Sequence, residues 1–517
     1  MPRKRSLLLL VAIMILPILA NAQPIQVDGG QISGTTEHDV QTFKGIPYAA
    51  PPVGPLRWQP PQPVEDWDGV RACTEFGFQC PQPDYAKSSF YWSEPQPKSE
   101  DCLTLNIWTT DTDSRADRPV MVWIHGGNLT RGTGASQRFN GASLAKKGVV
   151  LITINYRLGP LGYLAHPELT KESEHGSSGN YGVLDQIAAL QWVQRNIKSF
   201  GGDPDRVTIF GESAGAWSVN ALHATPLAKG LFHRAIGESG ALFAPMAHLD
   251  TSPGEIPSAH AMGLNLAKAC GAETLAELRQ VPVEQLLENT RGFRNRPNVD
   301  GWVLPQEIRT IFANGNQNNV PVIVGSNANE MASLIPASSL PKTMEALSER
   351  VNGSYGDLAP EFHKAYPATT EAEIGAAYLD SYTDSVFTLG MRTWARQTSA
   401  AKSNAYHYYF THVPPIPNSE YLGAFHAAEI PYVFNNLHLS LRLPPDQFKP
   451  ADQALATIMS DYWVAFAKTG TPQVEGLPPW KPYTQDTEPY MDFSPTPTLR
   501  HHLLKEKLDF MEKASTD

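Results

Sequence analysis

The stretch Phe200-Gly-Gly-Asp-Pro-Asp-Arg-Val-Thr-Ile-Phe-Gly-Glu-Ser-Ala-Gly215 constrains this chain more than any other. Residues 206–210 read as a short strand, because Val207, Ile209 and Phe210 are apolar and β-favouring. Gly211-Glu-Ser213-Ala-Gly215 follows at once, and residues 216–222 can run on as a helix. Between a strand and a helix, a G-x-S-x-G pentapeptide lifts its serine to the tip of a strained turn. Such a turn forces the strand and the helix close together, so side chains flanking the serine would collide and both positions are Gly. It also leaves backbone N–H groups at a helix N-terminus, where they can stabilise an oxyanion. An isolated Gly-Ser pentapeptide is often an ordinary loop. The strand and helix around this one make Ser213 the candidate nucleophile.

The chain has 517 residues, 41% apolar and 18% charged, which is the composition of a folded protein with a sizeable core. No internal repeat or low-complexity linker divides it, so one large domain is expected over residues 23–517. A net charge of −11 offers no basic footprint for nucleic acid or an anionic membrane. Residues 1–22 stand apart. Arg3-Lys-Arg5 is a basic start, an apolar run from 7 to 19 follows with Pro17 in it, and Ala20-Asn-Ala22 is an A-x-A cleavage site. The pattern predicts a signal peptide cleaved near Ala22 and export to the periplasm or the medium. The apolar run is short for a membrane span, and no later segment approaches ~18 apolar residues. Cys73, Cys80, Cys102 and Cys270 are the four cysteines, and in an oxidising compartment they could form two bridges in three ways.

Along the chain, residues 43–58 carry four prolines and are expected as an extended surface strap. Residues 103–108 alternate as a strand, and 120–124 and 149–154 are continuous apolar runs suited to strands covered on both faces. Residues 182–197 have helical apolar spacing. Strand, helix, strand, helix predicts an α/β protein with a mostly parallel sheet. Residues 245–400 read as helices around one clear strand, 320–324, and are expected to form a helical cap. A strand at 406–410 and a helix at 455–467 come late.

A serine alcohol needs a general base, and the base needs an acid to fix its tautomer. Where the chain order is serine, acid, histidine, His426 is the candidate base, in the loop shortly after strand 406–410. His407 and His412, on or beside that strand, are the structural alternatives. Glu330 is the candidate acid, just past strand 320–324, with Asp300 and Glu429 as rivals. Strand 120–124 ends in His125-Gly-Gly-Asn128, whose glycines let backbone approach substrate closely. The candidate oxyanion donors are the N–H groups of Gly126, Gly127 and Ala214.

These segments together resemble the type B carboxylesterases, the α/β-hydrolase family that includes cholinesterases and bacterial para-nitrobenzyl esterases. The resemblance covers nearly all of residues 23–517. It rests on Phe43-Lys-Gly-Ile-Pro-Tyr-Ala49, Ser99-Glu-Asp-Cys-Leu-Thr-Leu-Asn106, His125-Gly-Gly, Asn155-Tyr-Arg-Leu-Gly159 and Gly179-Asn-Tyr-Gly-Val-Leu-Asp-Gln186. It continues through the 200–215 block, 325–330, 425–434 and 462–470. It implies an α/β-hydrolase fold and ester hydrolysis through an acyl-enzyme, with no metal or organic cofactor. By position it gives Ser213, Glu330 and His426 as the triad and Gly126, Gly127 and Ala214 as the donors. The family's N-terminal disulfide maps to Cys80 and Cys102, leaving Cys73 and Cys270 unassigned.

Relatives often carry a small residue and an aromatic after His-Gly-Gly, whereas this chain has Asn128 and Leu129, which with Arg131 are read as substrate-binding. A second basic group, Arg291, Arg294 and Arg296, lies just before Val299-Asp-Gly301. Together the arginines suggest an ester that also bears a free carboxylate. The rival readings are a peptidase on the same fold and a non-catalytic binding domain.

Overall fold

The apolar runs of the sequence become the middle of one twisted sheet. The computed structural model describes residues 20–515 except 22, 88, 90, 93, 441 and 442. Most of the expected signal peptide therefore lies outside the described residues, and Ala20–Asn21 form a two-residue strand at the sheet's edge. Among the described residues the main sheet has 12 strands. From that edge the order continues Thr35–Glu37, Val40–Pro47, Thr104–Thr109, Val150–Ile154, Arg118–Ile124 and Gly202–Glu212. Arg234–Glu238, Val322–Asn327, Ala405–Phe410, Pro489–Phe493 and Thr498–His501 complete it. The strands from Val150–Ile154 through Pro489–Phe493 all pair in parallel, and the pairings at both ends are antiparallel. This is the mostly parallel sheet expected.

Alternation along the central strands explains why they read as unbroken apolar runs. Val120, Val122 and Ile124 enter one hydrophobic cluster, while Met121 and Trp123 enter another on the opposite face. Val322 and Val324 are divided from Ile323 in the same way. Both faces are covered, so neither can be polar. Helices Tyr181–Asn196 and Ala214–Ala224 feed the first cluster, and Pro450–Thr469 feeds the second.

One expectation fails. Residues 43–58 are not a surface strap. Val40–Pro47 is a sheet strand paired with Thr104–Thr109, and Phe43, Ile46, Tyr48 and Trp58 are at most 3% exposed. The prolines do exclude a long helix, leaving one 3-10 turn at Gly54–Leu56. The buried rings hold the segment inward through their polar ends. Tyr48 donates to Asn155 O at 2.6 Å and Trp58 Nε1 to Pro160 O at 2.9 Å.

Residues 245–400 are helical around the strand Val322–Asn327, from Ala259–Ala269 to Leu389–Ala400. A π-helical turn at Asp384–Thr388 leads into the last of these helices. Parallel strands place all their carboxyl ends on one edge of the sheet, where α/β folds build their sites. Gly126, Ser213, Glu330 and His426 each follow such an end.

Candidate active site

The site is built on the turn between Gly202–Glu212 and Ala214–Ala224. Ser213 has φ 57° and ψ −121°, a conformation that costs a non-glycine residue about 1–3 kcal/mol and persists only when its surroundings impose it. They do. Ser213 N–H donates to Glu238 O at 2.8 Å, and Trp217 N–H donates to Ser213 O at 3.0 Å. A Cβ on Gly211 would sit 2.5 Å from Ile124 O, and one on Gly215 would sit 2.0 Å from the same oxygen. Both glycines are required because the turn is pressed against the end of the neighbouring strand, as well as against itself.

His426 and Glu330 converge from two further loops. His426 Nδ1 lies 2.7 Å from Glu330 Oε2, and both side chains are buried. The other Glu330 oxygen accepts from Asn327 N–H at 2.7 Å, so the carboxylate is held at both ends. The imidazole packs 4.8 Å from the Phe387 ring in the π-helical turn, and Tyr91 O–H donates to its backbone oxygen at 3.2 Å. Its Nε2 faces Glu212 Oε1 at 3.2 Å. Among the described residues no hydrogen bond joins Ser213 Oγ to His426.

Gly126 and Gly127 come against the turn from the strand Arg118–Ile124. A Cβ on Gly126 would stand 2.6 Å from Glu212 O and 3.1 Å from Ser213 Cβ. Gly127 has φ 103°, followed by Asn128 at 60° and Leu129 at 58°, so the chain bends sharply here. Gln82 fixes the far end of the bend, accepting from Gly132 N–H at 2.7 Å and donating to Gly132 O at 2.8 Å. Among the described residues, the N–H groups of Gly126, Gly127 and Ala214 have no acceptor in the protein. They are free to receive an oxyanion.

The rivals fall elsewhere. Asp300 accepts from Trp302 N–H and Leu304 N–H within its own turn. His412 Nε2 lies 2.6 Å from Asp452, and His407 is buried, its pKa lowered to about 3 by burial. Glu429 is near the site but bonds Asn327 Nδ2 at 2.5 Å and not the histidine.

Sequence reading missed the company this histidine keeps. Glu212 and Glu429 are buried close to Glu330, and Glu238 is buried close to both of them. Burial first, and then Glu330 and Glu238, hold Glu212 well above the usual carboxylate range. Burial, then Glu212 and Glu330, push Glu429 up to about 8, and burial and Glu429 raise Glu238. Glu212 was visible as the variable residue before the serine. Nothing in one sequence marks Glu238 as its neighbour.

Two further readings are corrected. Leu129 is 1% exposed and belongs to the core, so it anchors the loop from behind and does not line the approach. Arg131 donates to Pro83 O at 3.1 Å and its guanidinium lies 5.1 Å from the Tyr85 ring, which turns it toward the 83–85 segment. Asn128 is exposed and lines an adjoining cavity. The expected Cys80–Cys102 bridge is also not formed, and all four cysteines are buried thiols. The Cys102 thiol is hydrogen-bonded with Cys80, which raises its pKa, so the pair is in contact and only oxidation would close it.

Residues 21–511 match the model of the carboxylesterase family. A fumonisin B1 esterase of Sphingopyxis macrogoltabida is 39% identical over 456 residues, covering 86% of this chain and 81% of that protein. The para-nitrobenzyl esterase of Bacillus subtilis is 36% identical over 483 residues, covering 90% and 93%. Among solved structures, a thermophilic PNB esterase superposes with a TM-score of 0.82 at 34% identity, over 95% of this chain and 99% of that one. With an α/β-hydrolase sheet and full-length matches of this kind, the chain belongs to the carboxylesterase family and is a carboxylic ester hydrolase.

Proposed function

We propose that the protein hydrolyses esters in two steps through an acyl-enzyme on Ser213. The observation that carries the proposal is the convergence of Ser213, His426 and Glu330 at one sheet edge, with Glu330 Oε2 2.7 Å from His426 Nδ1. Glu330 keeps the Nδ1 proton in place, so that Nε2 is the basic nitrogen. His426 Nε2 takes the Ser213 Oγ proton as Oγ attacks the ester carbonyl. Such bonds are often long without substrate, and here Nε2 turns from Glu212 to Oγ. The carbonyl oxygen gathers charge facing the N–H groups of Gly126, Gly127 and Ala214. The imidazolium then protonates the departing alcohol. Water attacks the acyl-enzyme by the same route, releasing the acid and restoring Oγ–H.

The residue pattern of positions 1–22 supports export, with the exported chain beginning at Gln23 and the Cys80–Cys102 contact closing to a bridge once oxidised. N-terminal sequencing and unreduced peptide mapping of the exported protein read both. The arginines near the oxyanion loop support a substrate that carries a free carboxylate beside its ester.

The test is hydrolysis of para-nitrophenyl esters beside a peptide anilide, followed by an organophosphonate. Ester turnover that stops as one adduct forms on the Ser213 peptide is expected. Turnover of the anilide alone, or inactivation with the adduct elsewhere, would overturn the reading.

A further inference from the structure

A cavity of about 410 Å³ opens beside the oxyanion loop, bounded by Asn128, Tyr163, Leu242, Phe293, Arg294 and Arg296 among others. Its wall holds two arginines and no Asp or Glu, in a chain whose net charge is −11. Arg296 is the better fixed of the two. Its guanidinium lies 3.9 Å over the Trp217 ring. Nη2 donates to Asn128 Oδ1 at 2.8 Å, while Nη1 donates to Asn295 O at 2.9 Å and, at 3.4 Å, to Asn128 O. Trp217 lies four residues past Ser213, just over one helical turn or about 6 Å of axial rise. Asn128 directly follows Gly127. The cation therefore stands between the oxyanion loop and the helix that carries Ser213.

Arg157 shows what a satisfied guanidinium looks like in this molecule. It grips Asp185 through Nε at 2.8 Å and Nη2 at 2.7 Å, the side-on fork that matches a carboxylate. Arg296 uses its end-on edge for Asn128 and leaves Nε without a partner among the described residues. Among those residues it also meets no carboxylate within ion-pairing distance. Its half-buried setting, with Arg294 nearby, lowers its pKa to about 10, so the charge is poorly compensated by the protein alone. The neutral groups around it fix its plane without neutralising it.

We infer that Arg296 binds the free carboxylate of the substrate, an ester whose acid or alcohol part carries that carboxylate within reach of the cavity. This rests on the esterase reading above and moves the anchor from Arg131, which faces Pro83 and Tyr85, to Arg296. Arg294 adds a second positive charge to the same wall.

The experiment compares para-nitrophenyl hexanoate with mono-para-nitrophenyl adipate, which carries a carboxylate at the far end of the same acyl chain. The enzyme is tested as wild type, as Arg296→Ala, and as Arg296→Gln, which keeps a donor for Asn128 without the charge. Both variants should lose about 10- to 100-fold more kcat/KM on the adipate than on the hexanoate, as expected of a charge-assisted hydrogen-bond pair. Equal losses on the two substrates would show that Arg296 only props the oxyanion loop. Unchanged values on both would show that it meets no part of the acyl chain. Either result overturns the inference while leaving the esterase standing. A wild type inert on both esters, with Ser213 unlabelled by organophosphonate, would instead remove the underlying reading.

Discussion

His426 divides the site into two unlike halves. In front of it, residues 125–132 offer backbone N–H groups on a chain bent through positive φ at Gly127, Asn128 and Leu129. Around and behind it, four buried glutamates gather: Glu330 at Nδ1, Glu212 facing Nε2, and Glu429 and Glu238 close to these. The front is shaped to meet negative charge and the back to meet positive charge. Those are the two charges that acyl transfer creates together, an oxyanion and an imidazolium. The halves differ in how they hold their charge. Backbone dipoles are fixed by the fold and are always present. Burial, and after it repulsion among neighbouring carboxylates, raises the pKa values of Glu212, Glu238 and Glu429. Glu330, anchored by Asn327 N–H and by His426, is the acid placed against the imidazole.

The deepest break falls where the halves meet. Ser213→Ala should lower kcat by about 10⁴-fold or more with the fold intact, because a triad acts as one unit. Steady-state turnover and circular dichroism together check this. A loss under tenfold would mean that another group attacks the ester.

Within the back half, Glu330→Gln should lower kcat by about 10³- to 10⁴-fold. The amide can still contact Nδ1 but cannot stabilise the imidazolium. Glu429→Gln should do far less, since Glu429 bonds Asn327 and not the histidine. Equal losses in the two variants would erase the distinction between them.

In the front half, Gly126→Ala should lower kcat by about 10²- to 10³-fold, the scale of losing one oxyanion donor. Its Cβ would meet Glu212 O at 2.6 Å, backbone that cannot swing aside. KM should change much less than kcat. A proportionate rise in KM alone would place the loop in ground-state binding.

The contrast between the halves also separates what one sequence reveals from what it hides. Ser213, Glu330 and His426 were legible because each follows a strand whose apolar pattern is plain, and a parallel sheet sends all such ends to one edge. The glycines of 126–127 were legible for the same reason. Glu238 was not, because it reaches the site through a neighbouring strand and its signal is no more than a carboxylate at a strand end. Arg131 and Arg296 show the limit in another form. Both were visible as cations, Arg131 beside the oxyanion glycines and Arg296 just before Val299-Asp-Gly301, yet only packing decides that one faces Pro83 and the other stacks on Trp217. The segment 43–58 was misjudged because prolines report what backbone cannot do. They do not report that Phe43, Ile46 and Trp58 have a core to enter.

The smallest effect expected on turnover is also the most direct probe of the back half's charge. Glu429 has its pKa pushed up to about 8 by burial and by Glu212 and Glu330. In the unfolded chain a glutamate titrates near about 4.3. Between those values the folded protein keeps a proton that the unfolded chain has released, so unfolding free energy falls as pH rises. The stabilisation is complete below the unfolded value and is lost as pH climbs through the folded one. Glu429→Gln removes that titration while keeping a neutral group of the same shape beside Asn327. Urea unfolding from pH 5 to 8 should then show a shallower decline in the variant, by at most about 1.4 kcal/mol per pH unit for one proton. Glu212 and Glu238 would still titrate, so some decline should survive. If wild type and Glu429→Gln decline in parallel, Glu429 is ionised in the folded protein, and the back half holds more negative charge than its burial favours.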